Sequence, residues 1–168
     1  MTVPRIAILT ISDGVARGER NDASGDAIAA WASASAFDLV ARETVADDAI
    51  AIASRLSSWC DAEIADVIVT TGGTGFTARD VTPEATRAIL ERDVPGIAEG
   101  IRARGTRSTP FAVLSRGVSG LRGRTLIVNL AGSAAAVADG LDVLTPLMAH
   151  TAQLLRGVDT GRHPAPDA

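Results

Sequence analysis

Six residues in the middle of the chain combine a flexible backbone with hydroxyl groups: Thr70-Thr71-Gly72-Gly73-Thr74-Gly75. Glycines let the backbone approach a ligand closely and adopt positive φ. Consecutive exposed N–H groups can then form a nest for an anion, and the threonine hydroxyls add hydrogen-bond donors. The pattern is typical of a phosphate-binding loop. A tight strand-to-helix turn that binds nothing is the alternative.

Carboxylates close to this loop would require a cation. Asp80 follows Gly75 by five residues, and a carboxylate beside a bound phosphate is repelled unless a cation lies between them. Mg²⁺ prefers one or two carboxylates together with phosphate oxygens and water. Alternatively, Asp80 caps a helix or pairs with Arg79.

A second acidic pair, Asp47-Asp48, follows a predicted strand. Aspartate is a favoured N-cap, so the pair could simply begin the next helix. If the strand order brings this loop beside the glycine loop, Asp47 and Asp80 could hold one Mg²⁺ together.

Three further loops carry side chains or backbone groups that could contact a ligand. Hydroxyl and carboxylate groups stand between positions 12 and 25, where ordinary turns are the alternative. The backbone at 131–133 could bind an anion at a helix start, and Arg116 could bind a phosphate or carboxylate through two hydrogen bonds. The candidate binding residues in these loops are Ser12, Asp13, Asp22, Ser24, Gly25, Ser115, Arg116, Gly132 and Ser133.

The composition excludes several kinds of chemistry. All 16 basic residues other than histidine are Arg, so a lysine Schiff base and a P-loop lysine are impossible. The chain has no Tyr, and its one Cys excludes an intramolecular disulfide. The net charge of −4 and the three Phe argue against a nucleic-acid-binding surface, which is usually basic and aromatic.

No targeting or membrane segment is recognisable in the sequence. The early apolar run from Ile6 to Ile11 is too short for a transmembrane helix or the core of a signal peptide. We therefore expect a cytoplasmic protein without a membrane partner.

The candidate residues must be positioned by alternating strands and helices. Apolar and β-branched runs predict strands at 5–10, 39–45, 67–71, 111–114 and 125–130. Helical spacing and capping signals predict helices at 26–36, 47–60, 82–92, 95–104 and 134–155, the last one kinked at Pro146. Only ten residues separate the last two strands, so they should be antiparallel.

This alternation predicts an α/β fold with a mostly parallel sheet. In such sheets ligands bind beyond the carboxyl ends of the strands, which here means the loops at 12–25, 72–80 and 131–133. We expect one domain over 1–155 and a flexible tail over 156–168, because the last residues are polar and rich in Gly and Pro.

The glycine loop and the residues after it resemble a known signature. Together with Arg79-Asp80-Val81-Thr82-Pro83-Glu84-Ala85, the loop is similar to the motif of the molybdopterin adenylyltransferases, the Mog/MoaB-like domain. The resemblance covers roughly residues 5–155. Further matches are Ser12-Asp13, Asp22 with Ser24-Gly25, Thr109-Pro110-Phe111-Ala112-Val113-Leu114-Ser115-Arg116 and Asn129-Leu130-Ala131-Gly132-Ser133.

The resemblance implies a three-layer α/β/α fold and a homotrimer. It implies Mg²⁺-dependent transfer of AMP from ATP to the terminal phosphate of molybdopterin, with release of pyrophosphate and hand-over of the product to a molybdate-inserting enzyme. By the same resemblance, Asp80 and Asp47 would be catalytic and hold the metal. Gly72, Gly73, Thr74 and Gly75 would face the nucleotide, and Ser115 would lie on the pterin side.

The chain departs from the family pattern at three positions. Ala131 and Ala134 replace prolines, and Gly105 stands where many members have a pterin-contacting serine. A molybdopterin-binding paralogue without efficient catalysis is therefore the second hypothesis. A dinucleotide oxidoreductase is disfavoured, because Ser12-Asp13-Gly14 follows the first strand in place of a Gly-x-Gly-x-x-Gly motif.

Overall fold

The structure is a computed structural model that describes residues 3–157. The predicted tail lies outside the described residues from position 158 onward. Among the residues described, no helix has both the length and the apolar character needed to cross a membrane.

Six strands form one sheet in the spatial order β2-β1-β3-β6-β5-β4. The strands are β1 Arg5–Ile11, β2 Asp38–Val45, β3 Val67–Thr71, β4 Arg92–Asp93, β5 Ser119–Arg122 and β6 Thr125–Leu130. Parallel pairing joins β2 to β1, β1 to β3 and β3 to β6, whereas β5 pairs antiparallel with both β6 and β4. The mostly parallel sheet with an antiparallel pair is therefore confirmed.

Helices cover both faces of this sheet. They are α1 Asp13–Ala16, α2 Ala23–Ala34, α3 Ala49–Asp61, α4 Thr82–Arg87, α5 Pro95–Gly105, α6 Ala134–Leu144 and α7 Met148–Leu155. A short 3₁₀ turn, Thr145–Leu147, separates α6 from α7, as expected at Pro146. Helix α4 ends five residues earlier than predicted, and the loop predicted between positions 14 and 25 contains α1 and the start of α2.

Side chains alternate between two cores because successive residues of a strand point to opposite faces. On one face, Ile6 and Ile8 pack with residues from α2, α6 and α7. On the other, Ala7 and Leu9 pack with residues from α3, and Cys60 is buried there. Burial raises the pKa of the Cys60 thiol to about 11, so it is an unreactive core residue. The three-layer α/β/α arrangement is confirmed.

The strand predicted at 111–114 is wrong. Pro110–Leu114 forms a 3₁₀ helix capped by Thr109, because Pro110 has no N–H to give to a strand ladder. Its side chains Phe111 and Val113 are 73% and 59% exposed. The antiparallel partner of β6 is instead β5, which is joined to it by the two residues Gly123 and Arg124.

An ion cluster lies at the edge of the sheet where the parallel strands β1 and β3 begin. The buried carboxylate of Asp66 accepts hydrogen bonds from the backbone and side chain of Arg5, at 2.7 and 3.2 Å. It also accepts two from Arg156, at 3.0 and 2.5 Å. Arg156, predicted to begin the flexible tail, is therefore held to the folded part of the chain.

Candidate active site at the carboxyl edge of the sheet

The parallel strands end at one edge of the sheet, where a cleft of about 900 Å³ opens. Ser12 follows β1, Asp47 follows β2, Gly72 follows β3 and Ala131 follows β6, and all four residues line this cleft. The topology therefore brings together the loops that the sequence indicated.

The glycine loop turns sharply between β3 and α4. Gly72 and Gly73 have φ values of +98° and +64°. A Cβ on Gly72 would lie 2.2 Å from the carbonyl oxygen of Ile11, and one on Gly73 would lie 2.3 Å from Oγ1 of Thr82. The Thr82 hydroxyl also donates to the carbonyl oxygen of Gly72 at 2.9 Å. Both positions therefore require glycine for conformation as well as for space.

Asp47 and its neighbour Asp48 have different roles. Asp48 caps α3, and its carboxylate accepts a hydrogen bond from the Ala51 N–H at 2.8 Å. Asp47 instead accepts the Asp13 N–H on Oδ2 at 2.8 Å and lines the cleft. Its Oδ1 lies 3.4 Å from the Cβ position of Gly73. The helix-cap interpretation therefore applies to Asp48, and Asp47 is left beside the glycine loop.

Asp80 lies at the other end of the same loop. Its Oδ2 accepts hydrogen bonds from the backbone N–H and the hydroxyl of Thr77, at 2.8 and 2.7 Å. The same oxygen is 2.9 Å from the Cβ position of Gly75. Burial raises the pKa of Asp80, but the hydrogen bonds from Thr77 and Gly75 and the charge of Arg116 outweigh it and hold the pKa below its usual value. Asp80 is therefore ionised at neutral pH.

The two carboxylates suit a divalent ion that is shared with phosphate. Asp47 and Asp80 both line the cleft next to glycine backbone. Within residues 3–157, no group of three or more His, Cys, Asp or Glu side chains could hold a metal. An ion bound between Asp47 and Asp80 would therefore complete its shell with phosphate oxygens and water, which is the coordination that Mg²⁺ prefers.

Asp22 is fixed by four groups. Oδ2 accepts hydrogen bonds from the Thr10 hydroxyl and the Arg42 guanidinium, both at 2.8 Å. Oδ1 accepts the Gly25 N–H at 2.9 Å and thereby caps α2, with the Ser24 hydroxyl at 3.4 Å. Burial raises the pKa of Asp22, and these hydrogen bonds lower it further than burial raises it. Asp22 and Ser24 line the cleft, whereas Gly25 is buried behind them.

Ser12 and Asp13 follow β1 and differ in their exposure to the cleft. Ser12 caps α1, lines the cleft and accepts a hydrogen bond from Arg20 at 3.1 Å. Asp13 lies behind it and pairs with Arg79, which lowers the pKa of Asp13 together with the hydrogen bond from the Asp47 backbone. Arg79, considered as a partner for Asp80, thus bonds to Asp13 instead.

Arg116 holds the glycine loop from behind. Its Nε donates to the carbonyl oxygen of Gly75 at 2.7 Å, its Nη2 donates to that of Asp80 at 2.5 Å, and its Nη1 pairs with Glu84. The sequence did not indicate this role. All three guanidinium nitrogens are engaged and Arg116 does not line the cleft, so its predicted contact with a phosphate stays a prediction.

The other predicted residues lie in the 115 and 131–133 segments, beside the glycine loop. Ser115 Oγ is 3.5 Å from Thr74 Oγ1, and Ser133 caps α6 by accepting the Ala136 N–H at 3.3 Å. A Cβ on Gly132 would be 3.3 Å from the Cα of Gly72. All of these residues line the cleft, so the structure joins the 115 and 131–133 segments to the glycine loop.

Several cleft residues were missed by sequence reasoning. They are contributed by α5, by the segment between α5 and β5 and by α6, and include Ile101, Arg102, Ser108, Thr109, Ala112 and Asp139. The spacing of Ile101, Arg102, Ser108 and Asp139 carries no motif. Thr109 and Ala112 lie in the Thr109–Arg116 segment that matches the family pattern, and Thr109 caps the 3₁₀ helix of that segment.

The chain is thus an α/β protein with a glycine loop and two carboxylates at the carboxyl edge of a mostly parallel sheet. Residues 7–150 match the family model of the probable molybdopterin binding domain. The chain therefore belongs to this family, and it is a molybdenum cofactor biosynthesis protein.

Individual relatives agree with the family. The chain is 35% identical to a molybdopterin adenylyltransferase of Helicobacter pylori, over 94% of this chain and 90% of that protein. It is 40% identical to the molybdenum cofactor synthesis protein cinnamon of Drosophila melanogaster, but spans only 25% of that longer protein. The crystal structure of the molybdopterin biosynthesis enzyme MoaB from Thermus thermophilus is similar, with a TM-score of 0.86 and 46% identity over 92% of this chain and 98% of that one.

Proposed function

We propose that this protein is a molybdopterin adenylyltransferase that transfers AMP from ATP to the terminal phosphate of molybdopterin. The observation that carries the proposal is the glycine loop with Asp47 at one end and Asp80 at the other, inside one cleft. The activity named for the Helicobacter pylori relative supports the choice of reaction.

The proposed reaction needs no protein nucleophile. A terminal phosphate oxygen of molybdopterin forms a bond to the α-phosphorus of ATP, and the bond from that phosphorus to the bridging oxygen of the β-phosphate breaks. Pyrophosphate leaves with the electron pair of the broken bond. The absence of Lys and Tyr from the chain is therefore no obstacle.

The protein would contribute positioning and charge. Backbone N–H groups of the glycine loop would bind phosphate oxygens, and its close packing on Ile11 and Thr82 keeps them in place. Asp47 and Asp80 would hold Mg²⁺, which when bound neutralises charge on the phosphates. Arg116 would hold the carbonyl oxygens of Gly75 and Asp80, and with them the loop, in a fixed position.

A non-catalytic molybdopterin-binding paralogue is the second candidate. Gly105 lines the cleft at a position where the resemblance implies a serine contact to the pterin, and this favours the alternative. Both carboxylates expected in the adenylyl transfer are present, which favours the enzyme.

The test is pyrophosphate release from ATP, Mg²⁺ and molybdopterin. We expect release by the wild-type protein, and at least about a hundredfold lower turnover in Asp80→Asn and in Asp47→Asn, because each removes a charge at the phosphates. Asp48→Asn is the matched control, since Asn caps a helix as well as Asp does and Asp48 does not line the cleft. It should keep the wild-type rate.

Two outcomes would contradict the proposal. A folded wild-type protein that binds molybdopterin but releases no pyrophosphate would support the binding paralogue. Wild-type turnover in both Asp47→Asn and Asp80→Asn would remove the metal-holding role of the carboxylates. The homotrimer and the hand-over to a molybdate-inserting enzyme stay predictions of the resemblance.

A further inference from the structure

A second cavity, of about 480 Å³, lies beside the cleft, and the proposed transfer of AMP gives it no role. Ser115 and Arg102 line both the cleft and this cavity, so they form a wall that the two share. The rest of its lining comes from α4, β4, α5, β5 and the segment that leads into β5. The second cavity therefore adjoins the cleft but is built from other elements.

The guanidinium of Arg102 is held to the backbone through one nitrogen. Its Nη1 donates to the carbonyl oxygens of Gly117 and Ser115, at 2.9 and 3.3 Å, and both residues line the second cavity. Within residues 3–157, its Nε and Nη2 have no acceptor and the side chain forms no ion pair. Glu99, one turn earlier on α5, is exposed and does not line the cavity. Two nitrogens of Arg102 thus remain as charged donors.

Arg87 supplies a second guanidinium. It is exposed in the last turn of α4, and in the part of the chain that the structure describes its side chain forms no hydrogen bond or ion pair. Glu84, one turn earlier, pairs with Arg116, and Glu91, one turn later, accepts the Gly123 N–H at 3.0 Å. Burial raises the pKa of Glu84, but the hydrogen bond from Arg116 and the charges of Arg116 and Arg87 outweigh it. One carboxylate therefore faces two guanidiniums.

The second cavity carries a net positive charge. Its charged lining residues are Arg87, Arg102 and Arg116, opposed by Asp93. Glu84 does not line the cavity but neutralises Arg116. Three positive charges against two negative ones leave a net charge of +1, which favours an anion.

The positions of the two guanidiniums select the shape of that anion. A guanidinium donates pairs of N–H groups in one plane, which matches two oxygens of a phosphate or a carboxylate. Arg87 lies on α4 and Arg102 on α5, so an anion bound by both must present oxygens in two directions. Tetrahedral phosphate does so, whereas a carboxylate has only two oxygens in one plane. The start of α5 adds little, because the Ala98 N–H already donates to Ser119 Oγ at 3.1 Å.

We propose that the second cavity is a binding site for a phosphate-class oxyanion, held by Arg87 and Arg102 and weakened by Asp93. The ligand class is inferred from this cavity and does not rest on the proposed function. Inorganic phosphate and the pyrophosphate released by the proposed reaction are two sources of the same chemistry. Arg116 lines the cavity and also holds the carbonyl oxygen of Gly75, so the anion would bind next to the support of the glycine loop.

The experiment is a ¹H–¹⁵N NMR titration of the full chain with sodium phosphate, sodium pyrophosphate or sodium acetate, with sodium chloride keeping the ionic strength constant. The amides of Gly117 and Val118 report on the second cavity, and those of Gly73 and Gly75 report on the cleft. We expect saturable shifts of Gly117 and Val118 with phosphate or pyrophosphate, and weaker binding of acetate. The tighter of the two phosphates identifies the source of the ligand.

Two variants change the charge of the second cavity in opposite directions without altering a cleft residue. Arg87→Gln should lower phosphate affinity there by about tenfold, because hydrogen bonds from a charged group are lost. Asp93→Asn should raise it by about threefold, because a repelling charge is removed. Arg92→Gln is the matched control, since Arg92 is exposed beside Asp93 and lines neither cavity. It should bind phosphate as the wild type does.

Three results would overturn the inference. They are shifts that sodium chloride alone reproduces, shifts confined to Gly73 and Gly75, and equal affinities in the wild type, Arg87→Gln and Asp93→Asn. Acetate that bound as tightly as phosphate would overturn the choice of ligand class. Phosphate binding at the second cavity of a protein that releases no pyrophosphate from ATP and molybdopterin would leave this inference standing and remove the proposed function.

Discussion

At the scale of single residues, neighbours in the sequence have separate roles. Asp48 begins α3, whereas Asp47 faces the glycine loop. Both are aspartates after one strand, and their hydrogen-bond partners distinguish them. The same holds for Ser115 and Arg116: the first lines the cleft, and the second holds the loop behind it.

Arg116→Lys tests that supporting role. The guanidinium is a planar fork whose separate nitrogens reach the carbonyl oxygens of Gly75 and Asp80 together. The Lys ammonium is a compact group at the end of a flexible chain and cannot span the same two positions and Glu84 with that geometry. We expect turnover to fall by about tenfold through misplacement of the loop, with the overall fold retained in circular dichroism. Pyrophosphate release measures the change.

Arg107→Lys is the control for Arg116→Lys, because Arg107 is exposed beyond α5 and does not line the cleft. It should keep wild-type turnover. Equal rates in Arg116→Lys and Arg107→Lys would show that the loop does not depend on the guanidinium.

At the scale of elements, the glycine loop links three parts of the fold. It follows β3, packs on the last residue of β1 through Gly72, and is bonded to the first residue of α4 through Thr82. A displacement of α4 would therefore move the N–H groups that we propose to bind phosphate.

Gly73→Ala tests the conformational requirement of the loop. The added Cβ would meet Thr82 Oγ1 at 2.3 Å in a residue with φ of +64°, so we expect unfolding free energy to fall by about 2–4 kcal/mol. Pyrophosphate release should fall strongly as well. Urea unfolding and the activity assay measure the two effects.

Gly123→Ala separates the cost of the positive φ from the cost of the contact with Thr82. Gly123 has a similar φ of +54° in the β5–β6 turn, but a Cβ there would meet no atom within 4 Å. This variant should lose about 1 kcal/mol from backbone strain alone and keep its activity. If Gly73→Ala were no less stable than Gly123→Ala, the contact with Thr82 would not contribute to the loss of unfolding free energy.

At the scale of the whole molecule, the site and the stabilising ion cluster lie at opposite edges of the sheet. Asp66 joins Arg5, at the start of β1, to Arg156, after α7. Burial raises the pKa of Asp66, but the hydrogen bonds from Arg156 and Arg5 hold it below its ordinary value. The cluster therefore stabilises the fold at a distance from the chemistry.

The lowered pKa predicts the pH dependence of this stability. A carboxyl whose pKa is lower in the folded state stabilises the fold fully above its unfolded pKa, about 3.9. That stabilisation is lost as pH falls through the folded pKa. We expect Asp66→Asn to lower the unfolding free energy by about 1–3 kcal/mol at pH 7, and the difference from wild type to shrink below about pH 4.

Urea unfolding at a series of pH values tests this prediction. Asp38→Asn, at an exposed position on β2, is the control and should lie within about 0.5 kcal/mol of wild type. A difference between wild type and Asp66→Asn that stayed constant down to pH 3 would mean that the ionised carboxylate is not what stabilises the cluster.

Local patterns in the sequence were enough to predict the elements that depend on neighbouring residues. Apolar β-branched runs located β1, β3 and β6, and the alternation with helices predicted the mostly parallel sheet. The Gly72–Gly75 loop could be recognised because its conformation needs glycine at particular positions. The apolar run at 111–114 misled the prediction, since Pro110 and exposure to solvent decide its structure.

Which loops meet and which side chains line the cleft depends on how the strands are ordered in the sheet. The order β2-β1-β3-β6 puts Asp47 beside a loop more than twenty residues further along the chain. The contacts of Arg116 with Gly75, Asp80 and Glu84 join segments more than thirty residues apart and could not be read from the sequence. The physical reason is that local patterns fix backbone conformation within a few residues, whereas hydrogen bonds and ion pairs between distant residues form only after the strands have packed side by side.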